Sequence, residues 1–190
     1  MNYGRGDGMN GVDAAAFVNK YGVLLRQKYL NGKYDFSIYS GQIARNLGTS
    51  GVPVELLPLC RLHPVQTVSL VKSWEECRDA VANGYPVTMC SNVGFSTRGG
   101  RDRDGFLSPG RQPWHHAMLI AGIDDSFKRP GGLIINSWGD WIDGPTRLNQ
   151  PTGSFWADAS VINRAMRQSD SIALSNYAGY PLQDLDYRFF

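Results

Sequence analysis

The stretch that most constrains this chain runs from Trp114 to Trp141, where two apolar runs flank an interval of turn-forming residues. Trp114-His115-His116-Ala117-Met118-Leu119-Ile120-Ala121-Gly122-Ile123 leads into Asp124-Asp125-Ser126-Phe127-Lys128-Arg129-Pro130-Gly131-Gly132. Leu133-Ile134-Ile135-Asn136-Ser137-Trp138-Gly139 follows. Strand-length apolar runs on either side of an Asp/Ser/Pro/Gly interval predict an antiparallel hairpin with a longer-than-minimal loop. Folding it about Ser126 to Lys128 carries His116 and Asn136 to one end of a sheet, with the Trp138 indole beside them. A candidate base, an amide that can orient it and a covering ring would then meet.

The rest of the chain predicts short elements around that hairpin. With 190 residues it fits one domain with room for two lobes. The glycines at 4, 6, 8 and 11 start the chain in a loop. Val12 to Lys20 reads as a helix with Ala14, Phe17 and Val18 on one face and Gly22 as its C-cap. Tyr29 to Tyr39 reads as an ordered surface loop, Tyr39 to Leu47 as a helix stopped by Gly48, and Pro53 to Arg61 as a further short helix. Thr67 to Val71 alternates as a strand, and Ser73-Trp74-Glu75-Glu76 is a capping box opening a helix that ends at Asn83-Gly84. Tyr85 to Ser91 is a buried strand. The Arg/Asp-rich segment 92–113 is either a salt-bridged surface loop or one that flanks a substrate. Gly153 to Ala157 and Ser171 to Ser175 are strands around a helix from Asp158, its expected N-cap, to Gln168. That helix turns Val161, Ile162, Ala165 and Met166 inward. The fold class is therefore α+β.

Composition excludes several function classes. A net charge of +2 gives no reason to expect nucleic acid or an anionic membrane as partner. No apolar run approaches the ~18 residues of a membrane span, and Met1 to Gly8 lacks the apolar core of a secretory leader, which is consistent with a cytoplasmic protein. Cys60, Cys77 and Cys90 lack the Cys-x-x-Cys rhythm of a zinc site and read as buried thiols, a disulfide between two of them staying open. A zinc site of His63, His115 and His116 is disfavoured because adjacent strand residues face opposite ways. No cofactor is implied.

His116-Ala117 opening an apolar strand that ends in Gly122, with Asn136-Ser137-Trp138-Gly139 after it, resembles the C-terminal half of papain-like (C1 family) cysteine peptidases. Gly8-Met9-Asn10-Gly11, Tyr21-Gly22-Val23, Asn83-Gly84-Tyr85-Pro86-Val87 and Ser175 to Pro181 extend the resemblance collinearly from about residue 6 to 181. It implies a papain-like fold, mainly its antiparallel sheet or barrel lobe, with 1–64 as remnant of the helical lobe, 65–181 as the β-rich lobe and 182–190 as a peripheral tail. It also implies His116 as general base, Asn136 as its orienter and Trp138 as their cover. Gly8 and Gly11 admit a peptide backbone or are plain loop glycines, and Ser175, with Ala173, falls near a substrate pocket.

In that family the His follows its nucleophile by ~130–150 residues, which from His116 reaches back past Met1. The chain is thus expected to lack the nucleophile and the central helix that bears it, and to be inactive alone. A Cys-bearing segment from upstream or from another chain is the expected partner, docking on an apolar groove beside His116, and a peptide or protein is the expected substrate. Two alternatives remain: a non-catalytic scaffold or binding module, and another Cys/His acyl-transfer enzyme of amidase or transglutaminase-like type.

Overall fold

A computed structural model describes residues 8–126 and 128–177. The expected opening loop before Gly8, the tail 182–190 and the end of the closing segment toward Pro181 lie outside the described residues. The chain divides into two units, one of residues 1–9, 16–67 and 176–190, the other of residues 10–15 and 68–175. The division falls within a strand, a few residues after the expected 64/65 lobe boundary.

Helix α1, Gly11–Tyr21, starts where the Asp170 carboxylate accepts from the N–H groups of Gly11 and Val12, both at 2.9 Å. A carboxylate at a helix N-terminus satisfies otherwise orphaned donors and complements the helix dipole. Its buried side chain is Ala15, not the expected Ala14. The expected surface loop 29–39 holds a two-strand hairpin, β1 (Lys28–Tyr29) and β2 (Tyr34–Asp35). Helix α2, Gly41–Ser50, begins at Ser40, whose hydroxyl accepts from the Ile43 N–H. It runs through Gly48 and stops at Gly51, whose φ of 84° few side chains tolerate. A 3₁₀ turn (Val54–Leu56) leads into α3, Leu57–Cys60.

The second unit carries most of a six-stranded sheet. Its strands are β3 (Val65–Val71), β4 (Val87–Ser91), β5 (His116–Asp124), β6 (Gly131–Ile135), β7 (Phe155–Asp158) and β8 (Ser171–Tyr177), in the order β3-β8-β4-β5-β6-β7. The pairings of β4 with β5 and β8, and of β6 with β5 and β7, are antiparallel. Helices α4 (Trp74–Ala82) and α5 (Ala159–Met166) pack on each other and on one face of this sheet. Val161, Ile162, Ala165 and Met166 are buried there with Val87, Met89, Met118, Ile120 and Ile134. The Ser73 cap forms, with Ser73 Oγ accepting from the Glu76 N–H at 3.2 Å, while the Glu76 carboxylate reaches one residue further back than a capping box requires, accepting from the Lys72 N–H at 2.7 Å. Asp158 stands at the start of α5 without capping it, because both of its carboxylate oxygens accept from Arg129.

Segment 92–113 carries the expected ion pairs, Arg103–Asp104 and Asp102–Arg129, but is anchored more deeply than a surface loop. Arg101 is buried and donates to the carbonyls of Pro145, Ser154 and Gly144, each at 3.0 Å. Asp102 accepts from the N–H groups of Asp104 and Phe106 and pairs with Arg129, so the segment is tied into the structure from within. Burial raises the Asp102 carboxyl's pKa, but the Arg129 bond and the two N–H groups outweigh it and hold the group below its ordinary range.

Candidate functional site

The hairpin forms as β5 and β6, and a bulge in it decides where Asn136 points. From Asp124 to Gly122 the strands pair in one register (Gly122 opposite Leu133), and from Ile120 onward in another (Ile120 opposite Ile134, Leu119 opposite Ile135). Side chains alternate along a strand, so a one-residue shift exchanges the two faces. With the observed shift, Asn136 continues β6 on the face of Met118 and His116. In the unshifted register it would align with Leu119, on the opposite face. The extra residue, Ala121, therefore puts base and amide on one side.

There they meet. His116 Nε2 lies 2.9 Å from Asn136 Oδ1, and the same oxygen accepts from the Ser137 backbone N–H at 2.8 Å. An amide N–H only donates, so the group it meets on Asn136 is the oxygen. An oxygen accepts, so Nε2 carries the hydrogen that His116 donates. In the neutral ring this leaves Nδ1 as the bare, basic nitrogen. The amide thus fixes both the ring's orientation and its tautomer. Asn136 Nδ2 is buried and without a hydrogen-bond partner among the described residues.

Trp138 lies nearly parallel to the His116 ring, with centroids 5.0 Å apart and planes at 21°. It is 47% exposed and held from behind by Trp114 and Trp141, each 5.0 Å away. Trp141 donates from Nε1 to the Gly153 carbonyl at 2.8 Å and packs on the buried ring of Phe155. A Cβ at Gly153 would stand 1.9 Å from the Gly139 carbonyl, so the segments following Trp138 and preceding Phe155 approach as only glycine allows. The supporting roles of Trp114 and Trp141 were missed from sequence. The signal was three of the five tryptophans crowding into the hairpin and its exit.

The other expected site residues do not join this group. Gly11 is buried against its own chain: a Cβ would sit 2.1 Å from the Asp170 carbonyl and 2.7 Å from Cys90 Sγ. Packing at the start of α1 requires this glycine. Gly8 is exposed at φ 118° and belongs to the other unit. Ser175 lies toward the wrong end of β8. Ala173 pairs with Val87 and Ser91 with His116. The antiparallel register therefore sets Ser175 about 20 Å along the sheet from the His116 end, at ~3.3 Å per residue.

The three cysteines are free and buried. Burial raises the thiol pKa of each, that of Cys77 to about 12, with Asp170 a further cause at Cys90. A thiol acts as a nucleophile only as thiolate, so these environments suppress that role. Cys90 comes nearest in register, opposite Ala117, and therefore faces away from His116. Among the described residues, no group of three or more His, Cys, Asp or Glu is placed to hold a metal ion, and no helix is long and apolar enough to cross a membrane.

No family model matches the chain. Among solved structures it is similar to digestive procathepsin L 3 of Tenebrio molitor larval midgut, at 14% identity and a TM-score of 0.45, covering 86% of this chain and 47% of that one. It is also similar to the digestive procathepsin L2 proteinase from the same tissue, at 17% identity and a TM-score of 0.39, covering 85% and 45%. The chain spans about half the length of these structures.

Proposed function

We propose that this chain is the base-bearing lobe of a papain-like cysteine peptidase, with His116 as the general base and acid, Asn136 as its orienting amide and Trp138 as their cover. The observation that carries the reading is the double acceptance at Asn136 Oδ1, which leaves His116 Nδ1 bare. A base so oriented takes a proton from a thiol, and the resulting thiolate attacks the amide carbonyl. The imidazolium then gives that proton to the leaving amine, and water releases the acyl group by the reverse use of the same nitrogen.

The thiol in this scheme is none of Cys60, Cys77 and Cys90, and a segment docked beside the hairpin supplies it. Ala117, Leu119 and Ala121 are exposed on the opposite face of β5 from His116 and do not form the apolar groove expected beside it. A second reading, a non-catalytic binding lobe, is favoured by the burial of every cysteine in the chain.

One experiment separates them. The protein isolated at its natural length is treated with a peptidyl epoxide that alkylates activated thiols. Peptidase chemistry predicts stoichiometric labelling that falls at least about a hundredfold in His116→Ala, the usual scale of base catalysis. No labelling with His116 intact assigns the chain to the binding reading.

A further inference from the structure

A second feature lies at the same end of the sheet. Ser91, the last residue of β4, pairs with His116, and Asn92 immediately after it accepts at its carbonyl from the Trp114 N–H at 3.1 Å. Beyond it opens a cleft of about 260 Å³, lined among others by Asn92, Gly94, Gly110, Arg111, Arg164 and Gln168. That volume lies below the usual ~300–1,000 Å³ of small-molecule sites and suits one side chain.

Its walls are built. Gln168 holds Asn92 at two points, Oε1 accepting from the Asn92 N–H at 2.9 Å and Nε2 donating to Asn92 Oδ1 at 2.7 Å. The Gly110 N–H donates to the Gly94 carbonyl at 2.8 Å, which closes the opposite wall. Against these neutral, internally satisfied walls stand two guanidinium groups. Neither Arg111 nor Arg164 has a side-chain hydrogen bond or ion pair among the described residues, whereas Arg101 and Arg129 are fully engaged. No carboxylate lines the cleft. Two unneutralised forks on one small polar cleft call for an anion, and the planar, two-oxygen form of a carboxylate matches a guanidinium.

We propose that this cleft receives the carboxylate of an aspartate or glutamate side chain on the peptide handled at His116. This rests on the peptidase reading, and it specifies an acidic residue beside the bond presented to His116. The cleft is independent of the imidazole, so it is tested by binding alone.

Acetylated, amidated hexapeptides carrying glutamate at one scanned position, and their glutamine counterparts, are titrated into the chain and followed by the Nε–H resonances of Arg111 and Arg164. The expected result is movement of both resonances and about tenfold tighter binding of the best glutamate peptide, the scale of one charge-assisted bond. The preference disappears in Arg111→Gln/Arg164→Gln, whose melting temperature stays unchanged because both side chains are exposed. Equal affinity for the paired peptides, absence of binding by either, or a preference that survives the double variant overturns the proposal. So does glutarate or inorganic phosphate moving the resonances as strongly as the best peptide, which marks a general anion site. The epoxide experiment is unaffected by these outcomes, so a failed cleft and a failed peptidase reading are told apart.

Discussion

The Arg101 region and the His116 region lie in one unit and solve opposite problems. Around Arg101 a buried cation has no facing carboxylate and spends its Nε, Nη1 and Nη2 donors on the backbone carbonyls of Pro145, Ser154 and Gly144. Gln150 and the Asp102–Arg129–Asp158 chain extend that pairing, with Trp156 Nε1 the buried exception nearby among the described residues. Around His116 the ring is only partly buried, its covering indole is half-exposed, and Asn136 keeps a buried donor without a partner among the described residues. Buried polar groups that are all paired define a scaffold. Groups left open beside an oriented imidazole are what the chemistry proposed for His116 requires.

The largest expected effect lies on the scaffold side. Arg101→Met withdraws three donors from buried carbonyls and should destabilise the protein by about 3 kcal/mol or more in urea unfolding. His116→Ala, read in the same way, should change stability by less than about 1 kcal/mol. Equal losses would erase the contrast.

Acid sharpens it next. The pKa of Asp102 is lowered in the folded protein, so its contribution to stability is complete above the unfolded carboxylate range near ~3.9 and is lost as pH falls through the lower folded value. Its side chain is 39% exposed, and solvent screening holds the effect to about 1 kcal/mol or below. Asp102→Asn should therefore flatten the acid limb of the stability profile below about pH 4 and leave the neutral limb parallel to wild type. An acid limb of unchanged slope would remove the Arg129 pair from the scaffold.

Smaller still is the effect of uncovering the base. Trp138→Ala should cost about 1 kcal/mol or less, because the indole is half in water already. It should nonetheless speed solvent exchange of the His116 Nε2–H several-fold, measured by line broadening. Unchanged exchange would mean that the ring does not shield the His116–Asn136 bond.

What the sequence made legible was local. The hairpin, the N-cap at Ser73 and the inward face of α5 rest on turn chemistry and periodicity, and they stand as expected. The encounter of His116 with Asn136 was also legible as a matter of which strand ends meet. The faces were not, since the bulge at Ala121, marked in the sequence only by the neighbouring Gly122, decides the side on which Asn136 lies. Tertiary partners overrode local signals elsewhere. Arg129 took Asp158 from its expected cap, three distant carbonyls buried Arg101 in a segment that reads as surface, and α2 passed through Gly48 to end at Gly51. Ser175 was placed by resemblance, and the pairing of Ala173 with Val87 moved it away from the His116 end.

The central claim is that Asn136 holds His116 with hydrogen on Nε2 and a bare Nδ1. Long-range ¹H–¹⁵N spectra of the imidazole test it directly. A single tautomer, protonated at Nε2, is expected, giving way to a mixed population in Asn136→Ala. A ring protonated at Nδ1, or one already averaging between tautomers with Asn136 in place, would contradict it.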